Sequence, residues 1–179
     1  MPLIMERALF VVAPQDSGKS TVLRSLFLDR RLGMDGVPPS ASQYKNLPET
    51  YWLSNERRLY LRLTSPHEYG ESLDEFITKT QAKTGSGRWN FVGPLQPDAF
   101  KAMPDVVDSV RGFISALTPE RTRVAFLSPN RHGTTLTDYA PGRDLMDELL
   151  ALGNVEVIVL DGRRRGVNGL VLADFFDFT

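Results

Sequence analysis

The sequence predicts an α/β fold in which a mainly parallel sheet of about five strands lies between two layers of helices. Short, continuous apolar runs recur along the chain, and such runs are typical of strands that are buried on both faces. Segments with apolar residues three and four positions apart alternate with them, which indicates amphipathic helices. The length of 179 residues suits one domain, and no repeat or linker divides it. We therefore expect a single three-layer domain over residues 1–179.

The first half of the chain predicts two strands and two helices. Residues 8–13 form the first apolar run, and an amphipathic helix follows. Residues 34–57 contain three prolines and predict a long loop. Residues 59–63 predict the second strand, and Ser72 with Glu75 has the spacing of a capping box that begins the next helix.

The second half continues the same alternation. Residues 89–92 predict a short strand, and residues 106–117 an amphipathic helix between two prolines. Residues 123–127 predict another strand. A helix follows, with Leu145, Met146, Leu149 and Leu150 as its apolar residues and Gly153 as its end. Residues 155–160 predict the last strand. This alternation favours a parallel sheet with helices on both faces.

Parallel strands end at one edge of their sheet, and open sheets of this kind bind ligands beyond those ends. The segments that follow the predicted strands should therefore lie close together. They are residues 13–20, 64–71, 93–96, 128–133 and 161–165.

The first of these segments carries the strongest motif in the chain. Residues 13–20 are Ala-Pro-Gln-Asp-Ser-Gly-Lys-Ser. The segment resembles the Walker A motif of the P-loop NTPases, with Ala13 in place of the first glycine. The resemblance implies that Gly18 permits close backbone approach, that Lys19 reaches the β- and γ-phosphates, and that Ser20 ligates Mg²⁺.

The resemblance implies a P-loop NTPase-like domain that binds Mg²⁺ and ATP or GTP. Its binding residues would be Ala13, Pro14, Gln15, Asp16, Ser17, Gly18, Lys19, Ser20 and Thr21, joined by Arg131 from the loop after the fourth strand. Lys19 would be catalytic through its charge. Thr21 is expected to face the helix packing.

The acidic partners of this loop have competing interpretations. Asp161 ends the last strand and is the candidate to hold Mg²⁺ with Ser20, or else a solvated aspartate that opens a turn. Glu68 is the candidate to orient water, with Glu71 as an alternative, and either can instead be a carboxylate favoured at the start of a helix. His67 and His132 are possible general bases, although loop histidines are more often surface residues.

Three functions fit these residues. The first is Mg²⁺-dependent hydrolysis of a nucleoside triphosphate. ATP is preferred because the guanine-reading motif of GTPases is absent. The residues at its expected position are Asn130-Arg131-His132-Gly133. The second is a kinase that passes phosphate to a small-molecule acceptor. Its phosphate-binding arginines would come from a lid over residues 131–143 or from the arginine run at residues 163–165. That run can instead be a solvated basic turn. The third is a nucleotide-binding module with little turnover.

Composition excludes other classes of chemistry. The chain has no cysteine and two histidines, so a thiolate nucleophile and a zinc site built from those residues are excluded. The formal net charge of −1 argues against nucleic acid as a partner. No apolar run has the length of a membrane span, and we expect a cytoplasmic protein with no membrane partner. No feature identifies a protein partner.

Overall fold

A computed structural model describes residues 2–32, 35–40, 42–43, 47–164 and 166–176. The strands are β1 (Leu3–Val12), β2 (Thr50–Trp52), β3 (Arg57–Leu61), β4 (Gly87–Leu95), β5 (Arg121–Leu127) and β6 (Val155–Leu160). The helices are α1 (Lys19–Arg24), α2 (Pro66–Tyr69), α3 (Leu73–Thr84), α4 (Val106–Leu117), α5 (Leu136–Tyr139), α6 (Leu145–Leu150) and α7 (Asn168–Ala173). Two 3₁₀ turns, Ser25–Leu28 and Arg30–Leu32, follow α1.

The six strands form one sheet in the order β2-β3-β4-β1-β5-β6. All neighbouring strands are parallel except β2, which pairs antiparallel with β3 at the edge. The predicted α/β class with a mainly parallel sheet is confirmed, with six strands instead of about five. The additional strand, β2, is three residues long, is exposed at two of them and lies inside the predicted loop, so no apolar run marked it.

The central strand β1 is buried on both faces because its side chains alternate. Phe10 and Val12 belong to a core cluster on one side of the sheet. Leu9 and Val11 belong to a second cluster on the other side. This alternation explains why the strand reads as an uninterrupted apolar run.

The first cluster packs under α3, α4 and α6, which contact one another in series. Its centre is aromatic: the Phe10 and Phe113 rings lie 5.1 Å apart edge to face, and Phe91 lies 5.0 Å from Phe113. Offset and edge-to-face rings add stabilisation beyond area burial. α3 begins at the predicted capping box, because Ser72 and Glu75 exchange both hydrogen bonds. α4 begins at Asp105, whose carboxylate accepts the Asp108 N–H.

The second cluster packs under α1, the Ser25–Leu28 turn and α7. Contact between α7 and that turn is very close. A Cβ atom on Gly169 would lie 1.7 Å from the Ser25 carbonyl oxygen, so only glycine fits there. Leu172, Phe175 and Phe176 are buried behind α1 as a result.

Within the described part of the chain, no helix has both the length and the hydropathy needed to cross a membrane.

Candidate functional site

Residues 13–18 connect β1 to α1 at the carboxyl edge of the sheet and curl around the side chain of Lys19. The Lys19 Nζ atom donates to the carbonyl oxygens of Ala13 at 2.9 Å and Pro14 at 2.7 Å. Gly18 has φ of 93°, a left-handed conformation that favours glycine. Gln15 and Asp16 are exposed, so the outer side of the loop faces solvent.

Lys19 is buried, and its charge is correspondingly costly. Burial lowers the pKa of Lys19 to about 8, while the carboxylates of Glu68 and Asp16 act in the opposite direction. An anion that approached Nζ would favour the charged form and would replace the two carbonyl oxygens as its partner. The loop therefore holds an ammonium group ready for an anionic ligand.

The hydroxyls at the start of α1 face different neighbours. Ser20 Oγ donates to the Leu63 carbonyl oxygen at 3.0 Å, just beyond β3, and keeps its lone pairs available to a cation. Thr21 Oγ1 accepts from Arg24 Nη2 at 3.3 Å within the helix. Among the described residues, no group of three or more His, Cys, Asp or Glu side chains is placed to hold a metal ion. A Mg²⁺ ion beside Ser20 would fit only if phosphate and water supplied most of its oxygen ligands.

The loop after β5 covers the loop of residues 13–18, and Asn130 ties the two loops together. Asn130 is buried, and its Nδ2 atom donates to Ser17 Oγ at 3.0 Å. Its Oδ1 atom accepts the backbone N–H groups of His132 at 2.9 Å and Thr134 at 3.2 Å. The amide of Asn130 therefore uses both its donor and its acceptor to hold this junction.

Arg131 and His132 lie on the outside of the same junction. The Arg131 chain packs against Gly18, since its Cδ would lie 3.3 Å from a Cβ added there. His132 Nε2 lies 3.0 Å from the Asp16 carbonyl oxygen and 3.1 Å from Arg131 Nε. The structure thus brings the predicted residue Arg131 to the loop, where it is an exposed residue.

The short helix α2 places Glu68 near the site and is held in the fold by His67. His67 is fully buried, and burial lowers its pKa to about 4, so the ring is neutral. Its Nε2 atom lies 3.0 Å from the Pro104 carbonyl oxygen and must donate, which leaves Nδ1 to accept from Ser65 Oγ at 3.2 Å. Both nitrogens are used, which favours a structural role for His67. Glu68 is exposed and close enough to Lys19 to affect its pKa.

Asp161 lies at the carboxyl edge of the sheet, on the opposite side of β1 from the Leu63 carbonyl that Ser20 contacts. It follows β6, which β5 separates from β1. Its carboxylate accepts the Arg163 N–H at 3.0 Å and both Nε and Nη2 of Arg163 at 2.9 Å, and these bonds lower its pKa to about 2. Its role as a metal ligand stays a prediction, whereas its contacts are those of an aspartate in a basic turn. Position 165 of the arginine run lies outside the described residues.

Two other predicted groups are held in ion pairs. Glu71, the alternative to Glu68, is buried and accepts from Arg62 at 2.8 Å and Lys79 at 2.9 Å. Arg143, at the end of the predicted lid, pairs with Asp105 at 3.0 Å and Glu148 at 2.6 Å. These partners account for both side chains without a ligand.

Gln96 is a site residue that the sequence did not single out. It follows β4, is 8% exposed, and its Nε2 atom has no hydrogen-bond partner among the described residues. Residues 93–96 belonged to the predicted edge, but a single glutamine there carries no motif. The available signal in the sequence was that Gln96 is a polar residue at the end of an apolar run. Gln96 lies near the candidate site because β4 pairs with β1.

A cavity of about 590 Å³ opens beside the site, at the end of β3. Leu63 and Thr64 line it, so it borders the carbonyl that Ser20 contacts. Apolar and charged side chains share its wall, including Tyr60, Tyr69 and Lys79.

Comparison with known proteins identifies no relative: no family model, no curated protein and no solved structure matches this chain.

Proposed function

We propose that this chain is a P-loop protein that binds a nucleoside triphosphate through residues 13–21 and hydrolyses it with Mg²⁺. The observation that supports this most is the buried Lys19 ammonium, enclosed by carbonyl groups of a loop that Gly18 closes in a left-handed conformation. A buried cation with only neutral hydrogen-bond partners suits an anionic ligand, and a phosphate chain has the charge and the acceptors for it.

Phosphoryl transfer requires mainly positioning and charge neutralisation, and each side chain of the proposed site would supply one of the two. Lys19 would hold the phosphates, and Arg131 would add a second cation from the covering loop. Ser20 would hold Mg²⁺, which supplies charge neutralisation when it is bound. Glu68 would accept a hydrogen bond from the attacking water, since it is exposed beside Lys19.

The preference for ATP over GTP remains part of the proposal. Its support is that Asn130, which stands where a guanine-reading motif would begin, uses its amide to hold Ser17 and two backbone N–H groups. That side chain is therefore not available to a base.

Transfer of phosphate to a small-molecule acceptor is a second candidate, and the cavity beside Leu63 favours it. The cavity lies next to the residue that contacts Ser20, so an acceptor bound there would lie near the phosphate-binding loop. Its mixed lining suits a small molecule with both apolar and charged groups.

Calorimetry with ATP, GTP and Mg²⁺, followed by a phosphate-release assay, tests both candidates. Lys19→Ala should abolish binding and turnover, whereas Arg111→Ala, which removes an exposed cation on α4, should change neither. Turnover by the protein alone supports hydrolysis, and turnover that requires added metabolites supports the kinase. Tight binding without turnover in either mixture indicates a nucleotide-binding module. Failure to bind any nucleotide overturns the proposal.

A further inference from the structure

The position of Gln96 follows from the pairing of β4 with β1. Val12 pairs with Leu95, and the Ala13 N–H donates to the Leu95 carbonyl oxygen at 3.4 Å. Gln96 therefore lies beside Ala13, the first residue of the phosphate-binding loop.

The face on which Gln96 lies follows from side-chain alternation. Leu95 and Val12 pack into the cluster under α4, whereas Ala13 packs into the cluster under α1. Successive residues of a strand point to opposite faces, which directs Gln96 toward the face of α1. α1 carries Lys19 and Ser20 and contacts β4 directly.

The amide nitrogen of Gln96 lacks a partner there. A buried donor without an acceptor is uncommon in folded proteins and destabilises the fold, so each example needs an explanation. The other buried side-chain atoms without partners in the described residues are Tyr51 Oη, Asn90 Oδ1 and Thr122 Oγ1. Tyr51 lies on the edge strand β2, and Asn90 and Thr122 lie inside strands away from their carboxyl ends. Gln96 alone among these four adjoins the phosphate-binding loop.

We propose that Gln96 donates a hydrogen bond through Nε2 to the terminal phosphate of the bound nucleotide and so distinguishes a triphosphate from a diphosphate. This inference rests on the proposed nucleotide binding. A phosphate oxygen accepts hydrogen bonds and carries negative charge, which makes it the natural partner of an unpaired amide donor. A neutral amide also makes this contact without a metal ion, which a carboxylate in the same place would require.

The test compares Gln96→Met, Gln96→Glu and the control Gln81→Met, in which an exposed glutamine on α3 is replaced. Calorimetry measures the Kd values of ADP and of a non-hydrolysable ATP analogue, with EDTA and with Mg²⁺. Gln96→Met should weaken the analogue about tenfold and leave ADP unchanged, because one charge-assisted hydrogen bond is lost. Its thermal stability without ligand should equal or exceed that of the wild type, because an unpaired buried donor is removed. Gln96→Glu should weaken the analogue further in EDTA, because two negative charges meet.

An unchanged ratio of the two Kd values in both variants overturns this inference alone, as does equal weakening of both ligands. If Gln96→Met does not fold, the ratio in Gln96→Glu decides, since glutamate keeps the size and shape of glutamine and replaces only the amide by a carboxylate. Failure of the wild type to bind either nucleotide overturns the proposed function and this inference with it.

Discussion

Nucleotide binding is expected to weaken as the pH rises through 8, because the buried ammonium of Lys19 loses its proton there. Burial lowers the pKa of Lys19 to about 8 in the free protein. A bound phosphate would stabilise the charged form and return that pKa toward its ordinary range near 10.5. Binding above pH 8 must therefore include the uptake of a proton.

The magnitude follows from the fraction of free protein that carries the charge. Lys19 is about half protonated at pH 8 and about one-tenth protonated at pH 9. The observed Kd should rise about tenfold between pH 7 and pH 9 if only the charged form binds. The triphosphate itself is fully ionised over the upper part of this range, so its own titration adds little.

Calorimetry at pH 7, 8 and 9, in two buffers with different ionisation enthalpies, measures both the Kd and the number of protons taken up. Lys19→Arg is the control, because an arginine keeps its charge over the whole range and should give a flat profile. A wild-type protein that binds nucleotide with the same Kd at pH 7 and pH 9, and takes up no proton, would refute this account of Lys19.

Other changes test the scaffold around the site by urea unfolding. Gly169→Ala should lower the free energy of unfolding by about 3 kcal/mol, because its Cβ would meet the Ser25 backbone. Gly112→Ala is the control and should change the free energy of unfolding by less than about 1 kcal/mol, because its Cβ meets only a movable leucine side chain. The neutral, buried His67 should contribute about 3 kcal/mol to the loss of stability between neutral pH and pH 4, because the unfolded state binds the proton that the folded state excludes. His67→Gln should remove this contribution and leave only the acid dependence of carboxylates with a lowered pKa, such as Glu6 and Asp161. Asn130→Ala should cost about 2 kcal/mol, because two backbone N–H groups lose their acceptor.

Specific results would contradict these expectations. They are equal stability of the Gly169→Ala and Gly112→Ala variants, a loss of stability between neutral pH and pH 4 that is as large in His67→Gln as in the wild type, and an Asn130→Ala protein as stable as the wild type.

The order of elements was largely predictable from the pattern of apolar residues. β6 coincides with the predicted strand, and α3 begins at the predicted capping box, because period-two and period-3.6 patterns depend on local sequence. α7 was missed because it buries Asn168 and Gly169 and exposes Leu170 and Val171, so its buried face does not follow an apolar pattern. Its position depends on Gly169 fitting against the Ser25–Leu28 turn. That fit involves two segments far apart in the chain, and no local pattern reports it.

The candidate site was likewise predictable from the sequence only in part. Residues 13–20 carry their chemistry in sequence order, so a loop that places Lys19 and Ser20 between a strand and a helix was predictable from the chain alone. The parallel arrangement of β3, β4, β1, β5 and β6 then brings the ends of the strands to one edge, as expected.

Which side chains meet at that edge was decided only by the order of the strands. β4 lies beside β1 and brings Gln96 to the loop, whereas β6 lies two strands from β1 and holds Asp161 against Arg163. Strand order depends on how helices pack across both faces, a property of distant contacts and not of spacing along the chain. The order of residues along the chain was enough to predict the α/β class and a loop that presents Lys19 and Ser20, whereas the side chains around that loop depend on which strands lie beside β1.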